Sequence, residues 1–182
     1  LLAMLQHPVY KAADIVHLHC TNGNYFSYLL LPYLAQKRLI WTFHDTLAVT
    51  AGCLQPHLCN HWQAGYCADC PQDQGQPSGR SRLQHLKESI VGLADFEIVV
   101  PSDWLEMIAA QSIFQQKTIH RICNGIDTDV FRPENKRTAR RKLGLPENRF
   151  ILMFAAHGGI LNDMKGGRYL IDVLKRLQQV YP

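Results

Sequence analysis

Apolar residues in this chain gather into short runs separated by stretches of helical spacing. Residues 14–19 (DIVHLH), 38–43 (RLIWTF), 96–100 (FEIVV), 118–123 (TIHRIC) and 150–155 (FILMFA) each have the length of a strand and are largely apolar. Between them, residues 25–36 and 103–114 have helical spacing, the second with Ser102 or Asp103 placed to cap it. Residues 83–93 put Leu83, Leu86, Ile90 and Leu93 on one predicted face. A short basic helix at 138–143 closes at Gly144, and a last helix carries Leu170, Val173, Leu174 and Leu177. Apolar strands alternating with helices predict an α/β fold whose parallel sheet is covered on both faces. In such sheets ligands bind beyond the carboxyl ends of the strands, so the residues just after each run are the ones to inspect.

Composition narrows the partners. Of 182 residues, 47% are hydrophobic and 19% charged, and the formal net charge is +4. These are ordinary values for a globular chain. The only dense basic run, Lys136 to Lys142, reads as a solvated helix face, so no nucleic-acid partner is expected. No apolar run approaches the roughly 18 residues that a membrane-spanning helix needs. The chain opens on Leu1 without a secretory pattern, and the last helix is followed by no further strand, so the expectation is a fragment of a longer protein.

The strand-end residues are polar and chemically capable: His19, His44 with Asp45, Ser102, Asn124 with Gly125, and His157 and Lys165 in the last loop. A neutral imidazole can position a hydroxyl or take its proton, which makes His44 and His19 candidates. His17 shares a strand face with His19. Ser102 reads mainly as a helix cap. Lys165, with Gly166 and Gly167 behind it, stands where a helix begins, a suitable place to meet phosphate oxygens. The exit at Asn124-Gly125 reads as a sharp turn, with Gly125 free to take a positive φ and Phe131 to anchor the chain beyond it.

The segment after His44 contains four of the six cysteines: Cys53, Cys59, Cys67 and Cys70. The Cys67/Cys70 spacing lets two thiolates grip one tetrahedral metal, and Cys53 and Cys59 can complete the set as structural zinc, with His57 and His61 as alternative ligands. Disulfides and unpaired buried thiols remain open as rival readings. Cys20 and Cys123 read as small buried residues at strand ends.

Several motifs in order resemble GT-B fold glycosyltransferases of family 4: WTFHD after a strand, VPSDWL at a strand–helix junction, NGIDTDVFRP, and KGGRYLIDVL opening a helix. The stretch HDTLAVTAGC…GYCADCP is similar to a bacterial subgroup that builds capsule, exopolysaccharide or O-antigen chains. The resemblance implies residues 1–123 as the later part of an N-terminal, acceptor-side Rossmann-like domain with a Cys-rich insertion at 45–80. It implies 124–148 as an interdomain linker and 149–182 as the start of a second, nucleotide-sugar-binding Rossmann-like domain. It further implies a sugar moved from a nucleotide diphosphate donor to a glycan or lipid-linked acceptor in polysaccharide biosynthesis, with retention. No catalytic metal is implied, and the location is cytoplasmic, at or near the inner membrane face. Lys165 then matches the diphosphate lysine and His44 the histidine beside the sugar and acceptor. Asn124, Gly125, His19, Asp45, Ser102 and His157 become substrate contacts. The sequence departs from the family at Gly159, where many members carry an arginine, leaving His157 as the nearest ionisable residue. The family's donor-gripping glutamates have no match here, so the fragment alone is expected to be inactive. Two other readings stand beside this one: a phosphorylase- or epimerase-like enzyme of the same fold, and a non-catalytic zinc-stabilised binding module.

Overall fold

The computed structural model describes residues 2–22, 25–56, 59–63, 67, 70, 79–162 and 165–180. The chain divides into two compact units, Leu1–Ile126 and Asp127–Pro182. The first is built on four strands, β1 (Ile15–His19), β2 (Arg38–Thr42), β3 (Glu97–Val100) and β4 (Ile119–Arg121), in the order β1-β2-β3-β4. All three pairings are parallel. The register sets His19 beside Thr42, and Val100 beside Arg121. This α/β arrangement with a parallel sheet is consistent with a Rossmann-like fold.

Before β1 lie two short helices, α1 (Leu2–Gln6) and α2 (Pro8–Ala12). A single 3-10 turn, Tyr28–Leu30, leads into α3 (Leu31–Leu34), far shorter than the predicted 25–36 helix. Pro32 suits the first turn of that helix, where its missing N–H costs nothing. The helices α4 (Arg80–Leu93) and α5 (Asp103–Ala110) precede β3 and β4. The Ser102 hydroxyl caps α5 by accepting from the Leu105 N–H at 3.3 Å, as the sequence suggested.

The core centres on Trp41 of β2, 1% exposed. Its ring meets Phe43 at 5.0 Å, Phe114 at 5.9 Å and Phe96 at 6.0 Å between centroids. Edge-on aromatic packing of this kind adds about 0.5–1.5 kcal/mol per pair beyond area burial. Covering of both sheet faces fails at the margins. The strands β1 and β4 are edges, and Ile15, His17 and His19 are exposed along one face of β1. An edge strand flanked by five-residue helices has too little around it to cover both sides.

A second correction concerns α4. Leu83, Leu86 and Leu93 are exposed, while Gln84, Lys87, Ile90 and Val91 are buried. The helix is turned by the needs of the irregular segment beside it. Gln84 Nε2 donates to the Val49 carbonyl at 2.6 Å, and Lys87 Nζ donates to the Leu47 and Thr50 carbonyls at 2.8 and 2.6 Å. Backbone carbonyls buried without a ladder need donors, and that need outweighs burial of the three leucines.

The second unit contains α6 (Lys136–Lys142), a 3-10 turn (Gly159–Leu161) and α7 (Gly167–Val180). The predicted strand at 150–155 is absent: those residues have no ladder partner, and Phe150 and Met153 are 88% and 87% exposed. A strand exists only where a neighbour takes its backbone hydrogen bonds, and none of the described residues of this unit forms one. Phe131 is likewise 66% exposed rather than anchored. Among the described residues no helix is long and apolar enough to cross a membrane.

Candidate functional site

At the carboxyl ends of β1 and β2 the sheet register gathers three imidazoles. His17 and His19 alternate onto one face of β1, and Thr42 and His44 onto the same side of the neighbouring strand. His19 Nδ1 lies 2.9 Å from His44 Nε2, with the two rings stacked at 23°. His17 Nε2 lies 2.8 Å from Thr42 Oγ1, and its ring centroid is 4.1 Å from that of His19. His19 and His44 are both exposed, so the pair is open to a ligand.

One proton serves the His19–His44 contact: one nitrogen donates and the other accepts. That leaves Nε2 of His19 and Nδ1 of His44 to meet a hydroxyl. Burial holds the His19 imidazole below the usual histidine range, and the neighbouring His17 and His44 push it the same way. His19 therefore stays neutral at neutral pH, the state in which a ring nitrogen can accept a proton.

The turn after β1 is strained and pinned. Cys20 has φ 35°, a left-handed conformation uncommon for a residue with a side chain. The Tyr25 hydroxyl donates to the His19 carbonyl at 3.2 Å and also to the Cys20 carbonyl. Cys20 and Cys123 are both exposed, against the expectation of burial, because they follow the last residues of edge strands.

Beyond this turn lies a cavity of about 470 Å³, whose lining includes Thr21, Phe26, Tyr28, Leu47, Gly52 and Lys87. Burial pushes the Tyr28 phenol up to about 12, with the Thr21 hydroxyl opposing and the Asp45 charge adding. No hydrogen bond of good geometry reaches the buried Tyr28 hydroxyl. Burial pulls the Lys87 ammonium down to about 8, against the upward influence of Cys67, Asp45 and Cys53. Lys87 also stands 4.3 Å from the centre of the Tyr28 ring. Neither Tyr28 nor Lys87 stood out in the sequence, since Lys87 lies inside a helical pattern whose apolar face pointed elsewhere.

The remaining candidates separate. Asp45 Oδ1 accepts from the Leu47 N–H at 2.8 Å, so that carboxylate shapes the turn after β2. Asn124 and Gly125 are exposed, and Gly125 is not among the glycines with positive φ. The turn chemistry falls instead on Asp127, whose Oδ1 accepts from Asp129 N–H at 2.9 Å and Val130 N–H at 3.2 Å. A carboxylate satisfying two successive amides can set the bend without a left-handed glycine.

In the second unit, Lys165 and His157 are exposed. The His157 carbonyl accepts from Asn162 Nδ2 at 2.9 Å, and Lys165 N–H donates to the Asn162 carbonyl at 3.0 Å. The two glycines after Lys165 have distinct structural reasons. Gly166 takes φ +73°, and a Cβ on Gly167 would meet the Ile160 carbonyl oxygen at 1.8 Å. The close approach is thus to the chain's own backbone.

Cys53, Cys59, Cys67 and Cys70 are described and none of the six cysteines is in a disulfide. His57, offered as an alternative metal ligand, lies outside the described residues, as does much of 64–78. Among the described residues no group of three or more His, Cys, Asp or Glu is drawn together as a ready metal site.

No protein-family model matches the chain, and no solved structure matches it. Two curated proteins do. The chain is 26% identical over 91 residues to D-inositol 3-phosphate glycosyltransferase 1 of Catenulispora acidiphila, covering 50% of this chain and 21% of that protein. It is 38% identical over 58 residues to D-inositol 3-phosphate glycosyltransferase of Stackebrandtia nassauensis, covering 32% of this chain and 12% of that protein. The matched stretches thus span well under two thirds of these relatives, which the chain resembles in part.

Proposed function

We propose that this chain belongs to a GT-B glycosyltransferase of family 4 that moves a sugar from a nucleotide diphosphate donor to a glycan or lipid-linked acceptor. The observation that carries the reading is the His19–His44 pair, 2.9 Å apart at the carboxyl ends of adjacent parallel strands. Partial similarity to two proteins named as glycosyltransferases supports the chemistry.

In this reading His44, kept in line by His19, faces the acceptor hydroxyl, and the pair takes or shares its proton as the glycosidic bond forms. The departing nucleoside diphosphate carries growing negative charge, for which Lys165 at the start of α7 is the cation. His157 stands in the same loop and supplements Lys165 where the family's arginine is replaced by Gly159. The unit Leu1–Ile126 is then the acceptor side, and Asp127–Pro182 opens the donor side. Asn124 and Gly125 sit at the handover, with Ser102 and Asp45 acting as a helix cap and a turn carboxylate. Retention at the sugar carbon, a polysaccharide product of the capsule or O-antigen kind, and work at the cytoplasmic face of a membrane complete the proposal.

Turnover of a panel of UDP-, GDP- and ADP-sugars by the full-length parent protein, followed as nucleoside diphosphate release, tests this. The expected result is release from one donor that depends on an added acceptor and on Lys165. Release that needs inorganic phosphate in place of an acceptor would instead establish a phosphorylase. Tight metal with no nucleotide binding would establish a binding module.

A further inference from the structure

The segment leaving β2 runs from residue 44 to 79 with no helix or strand among its described residues, yet Val49, Ala51 and Trp62 within it are buried. Loops of this length without regular structure are uncommon in compact domains and usually have a special reason to be ordered. Several of its hydrogen bonds fall on the cysteines. The Thr46 and Thr50 hydroxyls both donate to the Cys53 carbonyl at 2.9 Å, and the Thr50 hydroxyl accepts from the Cys53 N–H at 2.8 Å. The Trp62 indole donates to the Cys59 carbonyl at 3.0 Å, and the Cys67 N–H donates to the His61 carbonyl at 3.3 Å. Cys67 is held at φ 41°, a conformation that persists for a side-chain-bearing residue only where its surroundings impose it.

Cys53, Cys59, Cys67 and Cys70 all line one small cavity of about 10 Å³, whose wall also includes His61, Trp62 and Arg80. That volume is about the space of a single water molecule or ion. We propose that this cavity is a structural zinc site, in which the thiolates of Cys53, Cys59, Cys67 and Cys70 surround one Zn²⁺.

Two observations favour this occupant over two disulfides. All four cysteines line one cavity, and none of them is in a disulfide. The Cys67/Cys70 spacing is the half-site of a tetrahedral thiolate set. Clustered thiolates repel unless a cation lies among them.

Zinc–sulfur bonds of about 2.3 Å require the four sulfurs to move inward from their metal-free positions, so binding tightens the cavity. Each thiol that binds gives its proton to solvent, and the cation takes up the resulting charge. The consequence reaches the larger cavity, because the same segment supplies Leu47, Gly52 and Leu54 to its wall. This inference does not depend on the transferase reading.

The test is metal analysis of the chain purified without chelator, followed by cobalt titration of the stripped protein. The expected results are one zinc per chain and, with cobalt, tetrahedral ligand-field bands together with thiolate charge transfer. Cys70→Ser should weaken zinc binding about tenfold or more, while Cys20→Ser and Cys123→Ser leave the cobalt spectrum unchanged. If Cys70→Ser does not fold, thiol alkylation of the unaltered chain still decides. Zinc should protect four of the six cysteines, and chelator should expose them. A stripped chain that gives no tetrahedral cobalt spectrum would overturn the proposal. So would disulfides among these four cysteines in the protein as purified.

Discussion

Lys87 and Glu147 each organise a set of polar contacts, one in each unit, and their surroundings could hardly differ more. Lys87 is 2% exposed and spends its ammonium on the Leu47 and Thr50 carbonyls. Glu147 lies near the surface between Arg137 and Arg141, at 2.6 and 2.7 Å, which hold its carboxyl below the usual range. The first cluster sits within an apolar core that dictates which way a helix turns. The second ties α6 to the loop after it with local contacts, in a unit where Phe150, Met153 and Leu161 stay exposed. A polar group inside a closed core is a constraint on everything packed around it, whereas a surface ion pair constrains its own turn.

That contrast can be broken most forcefully at Trp41. Trp41→Ala removes the centre of the aromatic cluster and should destabilise the first unit by about 3–5 kcal/mol, read from urea unfolding. Amide exchange in α6 should change little; equal loss of protection there would show that the contrast between the units is false.

Lys87 offers the next largest effect, and its sign is fixed by linkage. Its folded pKa of about 8 lies below the unfolded value of 10.5, so between these values the unfolded chain binds more protons. Stability from this group should therefore rise as pH increases from about 8 to 10.5, by on the order of 3 kcal/mol. Lys87→Met should abolish that rise, as measured by unfolding across the window. A slope that survives in the variant would assign it to other groups.

The smallest effect is expected at Glu147. Because its folded pKa is depressed, the pair with Arg137 and Arg141 stabilises above the ordinary glutamate range and fades as pH falls through the folded value. Glu147→Gln should leave the first unit's unfolding unchanged and loosen only α6 exchange, since exposed ion pairs contribute little. A shift in global unfolding comparable to that of Trp41→Ala would reverse the ranking.

The sequence carried the sheet well. The runs that became β2 and β3 were legible because buried parallel strands are apolar and bounded by polar ends, those of the edge strands β1 and β4 by their length and position between helices, and Ser102 was legible as a cap because its chemistry is local. What failed was non-local. Leu83, Leu86 and Leu93 looked like the inner face of α4, but the carbonyls of Leu47, Val49 and Thr50 drew Gln84 and Lys87 inward. Residues 150–155 had a strand's composition without a neighbour to pair with. The bend after β4 was sought at Gly125 and is made by Asp127, whose carboxylate reaches two amides. At the site, His19 and His44 were each visible as strand-end residues. Their direct contact was not, because it depends on which residue of β1 lies beside which residue of β2.

That contact is the central claim, and a double-mutant cycle on it is the most direct test. Nucleoside diphosphate release by the full-length parent would be compared for the unaltered protein, His19→Ala, His44→Ala and the pair. The account predicts a loss of about a hundredfold or more for His44→Ala, and no further loss when His19→Ala is added. It also predicts that the His19 contribution to activity persists as pH falls below the ordinary histidine range. Full activity in His44→Ala, or strictly additive losses from the two substitutions, would contradict it.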